Sequence, residues 1–187
     1  MGMPNAKIYT LDEYNKIREN SKDLYEFIDG EIIKLWSPST MHQTVALNLG
    51  MELKKYFSKS KCKVMLSPYD VFLSKDDIKT DVVIPDISVM CDKSGFDDKR
   101  YKGVPTIIVE ILSSNVSDDT VRKFNLYLKY GVREYWIIDP KNRTFQVHTY
   151  DFINKTYVSH IQENYEQLNS RLFENLKINM NPIFEEI

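Results

Sequence analysis

At 187 residues with 42% hydrophobic content, the chain can build one substantial core but is short for two. Its net charge of −2 argues against a protein that coats nucleic acid, although a nuclease rich in metal-binding carboxylates fits that count. No apolar run approaches about eighteen residues, so no membrane span is expected. Met1–Thr10 lacks the basic start and apolar segment of a secretory signal, so a cytoplasmic protein is expected.

Thr10 with Glu13 forms a capping box that opens a short helix to about Asn20. Leu24–Asp29 and Glu31–Trp36 read as two strands around Asp29-Gly30, a strong hairpin signal. Ser37-Pro38-Ser39-Thr40 breaks the chain and offers a cap. Val45, Leu49, Leu53 and Tyr56 then recur at helical spacing to about Phe57. Cys62–Leu66 and Tyr69–Leu73 are strand-like, separated by Ser67-Pro68 as a bulge or edge feature. Asp76–Thr80 reads as a polar turn, Val82–Cys91 and Thr106–Leu112 as strands, and Asp92–Gly103 as a mobile loop.

Ser117 or Asp118 can cap a helix that ends at Tyr130, with Gly131 in the stop position. Val121, Phe124 and Leu128 form its apolar stripe, with Leu126 opposite, so cover on two sides is expected. Val132–Ile138 is a further strand, and Thr144–Tyr150 with Thr156–Ile161 reads as a terminal hairpin turning at Asn154-Lys155. The tail from Leu172 is weakly patterned. Without repeats or linkers, residues 1–187 are expected to form one domain with its core at about 40–139. Cys62 and Cys91 have no metal-ligand spacing and lie in strand-like runs, so buried thiols are expected rather than a disulfide.

Two carboxylates fall within the strand pattern. Asp86 heads the run Ile87-Ser88-Val89-Met90, and Glu110 interrupts a stretch that is apolar on both alternating faces, as in a central covered strand. An ionised carboxylate there is costly unless a cation, a metal or several donors compensate it. Asp86 and Glu110 together could supply the oxygen pair that Mg²⁺ (or Mn²⁺) takes alongside water and phosphate. Lys123, on the following helix, shares a stripe with Asp119, Tyr127 and Tyr130 and could be aimed at Glu110. The plainer alternative for Lys123 is an ion pair with Glu110 and no catalysis.

The order helix, three strands, helix, strand is the αβββαβ core of restriction-endonuclease-like nucleases, a mixed α/β fold. It carries an N-terminal helix and hairpin and a C-terminal hairpin. Pro85-Asp86 with Glu110-Ile111-Leu112 resembles the PD-(D/E)XK signature, with Leu112 where lysine belongs. A longer pattern resembles the Uma-type restriction endonuclease family: Tyr25 to Glu31, Ser37-Pro38 with His42, Pro85-Asp86, Val109 to Ser113, Lys123 with Tyr127, and Gly131 to Trp136 ending at Asp139-Pro140. The resemblance implies metal-dependent DNA cleavage with the signature lysine moved to the helix, at Lys123. It also implies Glu26 as an additional ligand or base and His42 as an active-site residue. A hairpin-edge charge and a loop-bonding imidazole are the plain alternatives for these two. An inactive nucleic-acid-binding module and a structural domain with a buried ion-pair network remain the competing functions.

Other motifs carry less. His148 and His160 have no spaced acidic partner for zinc. There is no glycine-rich phosphate loop, and Ser113-Ser114 lacks a nucleophile-elbow context. Tyr135-Trp136 is explained by core packing. The basic runs Lys54-Lys55, Lys59–Lys63 and Lys99–Lys102 are solvated surface by default and phosphate contacts in the alternative. Without a basic stripe, affinity for DNA is expected to lean on a homodimer.

Overall fold

The computed structural model describes residues 7–75, 78–113, 117–160 and 165–185. Helix α1 (Leu11–Glu19) opens with the reciprocal Thr10–Glu13 capping box. Strands β1 (Tyr25–Ile28) and β2 (Glu31–Lys34) follow as a tight hairpin, with Asp29 and Gly30 both at positive φ. That backbone is the one a two-residue turn needs to match strand twist, and Asp-Gly supplies it cheaply. Helix α2 (Thr40–Phe57) is capped by Ser39, as the chain break before it suggests.

The next strands are β3 (Lys63–Leu66), β4 (Asp70–Lys75), β5 (Ile78–Val83), β6 (Ile87–Met90), β7 (Arg100–Lys102) and β8 (Ile107–Ile111). Helix α3 (Ser117–Tyr130), β9 (Glu134–Asp139) and the hairpin β10 (Thr144–Asp151) and β11 (Thr156–His160) complete the core. Strands β12 (Gln167–Asn169) and β13 (Lys177–Asn179) and the short α4 (Asn181–Phe184) close the chain.

Two sheets lie back to back, one ordered β2-β1-β5-β4-β7 and the other β11-β10-β9-β8-β6-β3. The run expected as one strand over Val82–Cys91 is broken, because Ile84-Pro85-Asp86 carries the chain from β5 in one sheet to β6 in the other. Proline has no N–H for the ladder, so a crossing at Pro85 sacrifices no sheet bond. Ile78–Thr80, read as turn, is strand β5, while Asp76 and Asp77 lie outside the described residues. The expected loop Asp92–Gly103 contains a 3-10 turn at Lys93–Gly95 and strand β7, which pairs parallel with β4.

One face of the six-stranded sheet packs on α2 through Val45, Leu49 and Leu53 against Ile87, Val109, Trp136 and Ile138. Leu168, Ile178, Ile183 and Phe184 of the tail join that layer, so the weakly patterned C-terminus is built into the core. The other face, with Ile108, Tyr135 and Ile137, meets Leu126, Tyr127 and Tyr130 of α3 and the inner face of the second sheet at Ile28, Val71, Leu73 and Val83. The expected stripe of α3 is therefore rotated: Val121 is 62% exposed, whereas Lys123 and Tyr127 are buried. Tyrosines at Tyr127 and Tyr130 fill the inner face as well as aliphatic groups would. The side chains of Ser117 and Asp118, the expected caps, lie outside the described residues.

Cys62 and Cys91 correct another expectation. They face each other one step beyond the Lys63↔Met90 pair of β3 and β6, with Cα atoms 3.9 Å apart, and are joined in a disulfide. Direct opposition across an antiparallel pair brings two thiols together in a way that sequence spacing does not reveal. The cysteines therefore lend no support to the cytoplasmic expectation.

Candidate active site

Glu110 sits on β8, with β6 on one side and β9 on the other, and its side chain points toward α3. Asp86 precedes β6 by one residue. Since Ile87 pairs with Val109, Asp86 falls opposite Glu110, on the same sheet face. The Ile111 N–H donates to Asp86 Oδ2 at 2.7 Å, and His42 Nε2 lies 3.1 Å from the same oxygen. His42 reaches it from the first turn of α2, whose N-terminus Ser39 fixes through the His42 N–H. With a carboxylate as partner, Nε2 is the donor.

From the other side, Lys123 Nζ stands 3.1 Å from Glu110 Oε1 and 3.3 Å from Glu26 Oε1. The Tyr127 hydroxyl, one turn along α3, donates to Glu110 Oε1 at 2.5 Å. Glu26 enters from β1, where alternation with Ile28 turns it inward. Its Oε1 accepts the Ile84 N–H at 2.9 Å, while its Oε2 is buried with no partner among the described residues. Lys123 thus faces Glu110, Glu26 and, at 4.0 Å, the half-exposed Asp119, with Asp86 opposite Glu110, a formal excess of negative charge in a largely buried place.

The electrostatics follow from that count. Burial pushes the Glu110 carboxyl up to about 8, with Asp86 and Glu26 adding to the rise and Lys123 and the Tyr127 hydrogen bond opposing it. Burial pulls the Lys123 ammonium down, but Glu110 and Glu26 outweigh it and hold that group well above the usual lysine range. Lys123 therefore stays charged while Glu110 is poised to take up or release a proton near neutrality.

The profile of the family Uma2, described as "Putative restriction endonuclease", matches residues 11–181. The chain belongs to the Uma2 family. This Uma2 chain is 27% identical over 143 residues to "Uncharacterized protein sll1609" of Synechocystis sp. (strain ATCC 27184 / PCC 6803 / Kazusa), covering 74% of this chain and 79% of that one. It is 25% identical over 123 residues to "Uncharacterized protein slr1290" of the same organism, covering 62% and 60%. The crystal structure of "a putative nuclease belonging to DUF820" from Anabaena variabilis ATCC 29413 superposes with a TM-score of 0.73, covering 94% of this chain and 97% of that one at 21% identity. That likeness concerns the fold, and the mixed α/β, restriction-endonuclease-like architecture expected from the sequence is the one observed.

Against the Uma2 pattern, the structure brings all five candidate residues together: Asp86, Glu110, Lys123, Glu26 and His42. Glu26 is fully buried, so it is no hairpin-edge charge. Leu112, at the usual lysine position, packs with the α3-side cluster. His148 and His160 lie apart, bonded to Ser159 and Thr149 on the terminal hairpin. Sequence reasoning left out Tyr127 as a site residue, although its place one helical turn after Lys123 was the available signal. The N–H groups of Ile84 and Ile111 were missed too, because backbone donors leave no trace in residue identity.

Among the described residues, no group of three or more His, Cys, Asp or Glu side chains is arranged as a metal centre. The pair Asp86 and Glu110 offers hard oxygen donors and excess negative charge. That set fits a cation such as Mg²⁺, which takes one or two carboxylates and keeps water and phosphate in its shell. Among the described residues, no helix is long and apolar enough to cross a membrane.

Proposed function

We propose that this Uma2 protein is a metal-dependent DNA endonuclease, with Mg²⁺ or Mn²⁺ held by Asp86 and Glu110. The carrying observation is the buried excess of carboxylate charge around Lys123, which a divalent cation would balance. Family membership and the Anabaena structure, described as "a putative nuclease", support the same reading. When bound, such a cation polarises a phosphoryl oxygen and lowers the pKa of a water molecule.

The chain's own residues prepare the site. His42 and the Ile111 N–H fix Asp86 through Oδ2, and Tyr127 with Lys123 fixes Glu110 through Oε1. Preset orientation of this kind avoids reorganisation during the reaction. The Lys123 ammonium can stabilise charge that develops on the phosphoryl group or orient the attacking water. Glu26 holds Lys123 from behind and has Oε2 left over as an acceptor.

One observation favours a second reading. The Glu110–Lys123 pair is also what a structural ion-pair network would contain. Incubation with duplex and branched DNA, with and without Mg²⁺ or Mn²⁺, separates the two. Metal-dependent cleavage by wild type and its loss in Asp86→Ala are expected. Persistent cleavage in Asp86→Ala would overturn the assignment of Asp86, and no cleavage with any metal would favour the network.

A further inference from the structure

Trp36 is 81% exposed on the short bridge Leu35–Ser39 between β2 and α2, whereas the other tryptophan, Trp136, is fully buried. Both ends of the bridge are tied to the candidate site. Upstream, Ile33 pairs directly with Glu26, and the Leu35 N–H donates to Leu24 O at 2.9 Å. Downstream, Ser39 caps the turn of α2 that carries His42. Three residues of chain on either side reach at most about 11 Å, which keeps Trp36 within that span of Ile33, opposite Glu26, and of Ser39, the cap of the helix that carries His42. Pro38 stiffens the bridge further. Lys34 holds its ammonium 5.5 Å from the indole centroid and also pairs with Asp23.

An indole exposed at a fixed place beside an ammonium is a platform that any flat base can stack on, and the ammonium favours a nearby phosphate. The net charge of −2 sharpens the point. A chain with no net positive charge gains little from counterion release, so contact with a strand must draw on something besides charge. We propose that Trp36 stacks an unpaired nucleobase of a strand approaching Asp86 and Glu110. This selects DNA with single-stranded character over fully paired duplex. The proposal rests on the nuclease reading.

Fluorescence anisotropy on the full chain in metal-free buffer tests it, with a labelled single-stranded oligonucleotide and a blunt duplex, for wild type, Trp36→Ala and Trp36→Phe. The single strand should quench the exposed tryptophan emission of wild type. Trp36→Ala should weaken single-strand binding roughly 5- to 150-fold, the range that follows from stacking energies per base. It should leave the salt dependence and duplex binding unchanged, and Trp36→Phe should retain most of the affinity. Equal single-strand affinity in wild type and Trp36→Ala overturns the proposal, as does an equal loss on duplex, a Phe variant as weak as Ala, or no binding by wild type. Cleavage of the same strand with Mg²⁺, and its loss in Asp86→Ala, reports on the nuclease reading separately. Asp86-dependent cleavage with no role for Trp36 removes only the stacking platform, whereas stacking without cleavage removes only the nuclease.

Discussion

Two buried carboxylates under α3 have nearly the same partners and different settings. Glu110 accepts from Lys123 at 3.1 Å and from Tyr127 at 2.5 Å. Asp81, on β5, accepts from Lys129 at 3.0 Å and from Tyr130 at 2.8 Å. Around Asp81 the account closes: Oδ1 takes the Asp29 N–H at 2.7 Å, Lys129 also reaches Asp29 at 2.8 Å, and that second carboxylate is 70% exposed. Around Lys123 it does not close, since Glu26 and Glu110 are both buried, Asp86 lies opposite Glu110, and Glu26 Oε2 has no partner among the described residues. A lysine and a tyrosine on a carboxylate are thus no sign of function by themselves. The informative quantity is how many like charges share the place. Asp81 is a clamp that ties the Asp29-Gly30 turn to the end of α3, and through that turn it helps hold Glu26 against Lys123.

If that contrast is right, the largest difference is in activity. Glu110→Gln should remove metal-dependent cleavage to background, because the proposed cation would lose one of its two carboxylate ligands. Asp81→Asn should leave the rate per folded molecule within a few-fold of wild type in the same gel assay. Comparable losses would show that the two clusters are not functionally distinct.

Next in size is the effect of removing each lysine. Lys123→Met leaves the buried Glu26 carboxylate with no ammonium, while Glu110 keeps its proton up to about 8, and stranding a buried partner in this way costs about 3–5 kcal/mol. Urea melts in metal-free buffer should show that loss. Added Mg²⁺ should recover part of it, since a bound cation stabilises the folded state by mass action. A small loss with no Mg²⁺ response would mean that Lys123 is not set among ionised carboxylates.

Much of this arrangement was legible in the chain. The Thr10–Glu13 capping box, the Asp29-Gly30 turn and the Gly131 stop each have local chemistry that tertiary packing had no reason to override. Glu110 stood out because a charge in an all-apolar strand has few cheap explanations. The limits are equally physical. Val82–Cys91 is continuous in hydrophobicity, so only the proline hinted that its two halves belong to different sheets. The Cys62–Cys91 bond depends on register between β3 and β6, a long-range property. The rotated face of α3 was hidden because Tyr127, Tyr130 and the stem of Lys123 are as able to fill a core as Val121 or Leu128. Tertiary context settled that choice.

The pH dependence of stability sharpens the comparison further. In the unfolded chain Glu110 loses its proton near the ordinary carboxylate value, whereas in the fold burial keeps it on up to about 8. Between those values the native state binds more protons than the unfolded one, so stability falls as pH rises through the window. Glu110→Gln keeps the shape without the titration and so escapes the fall. Its melting temperature should match or exceed that of wild type in metal-free buffer. The gap should be smallest near pH 5 and widen, toward a few kcal/mol on the order of magnitude that linkage allows, by pH 8.5. A variant less stable than wild type throughout would identify Glu110 as part of a structural pair with Lys123.

The smallest effects belong to the clamp. Asp81→Asn puts an amide where two oxygens receive donors from Asp29, Lys129 and Tyr130, so about 1–3 kcal/mol should be lost. Tyr130 keeps a second acceptor at Lys79 O, which limits the damage. Lys129→Met should cost less, about 0.5–1.5 kcal/mol, since Lys129 is 36% exposed and water already screens its pairs. Asp81 would still receive the Asp29 N–H and the Tyr130 hydroxyl. Neither variant should respond to Mg²⁺ differently from wild type, because the clamp offers one buried carboxylate whose oxygens are already engaged. Parallel melts of Lys123→Met and Lys129→Met, with and without Mg²⁺, therefore isolate what α3 does at its two ends. A Lys129→Met loss as large as that of Lys123→Met, recovered equally by metal, would place the excess charge along the whole inner face of the helix rather than at Glu110.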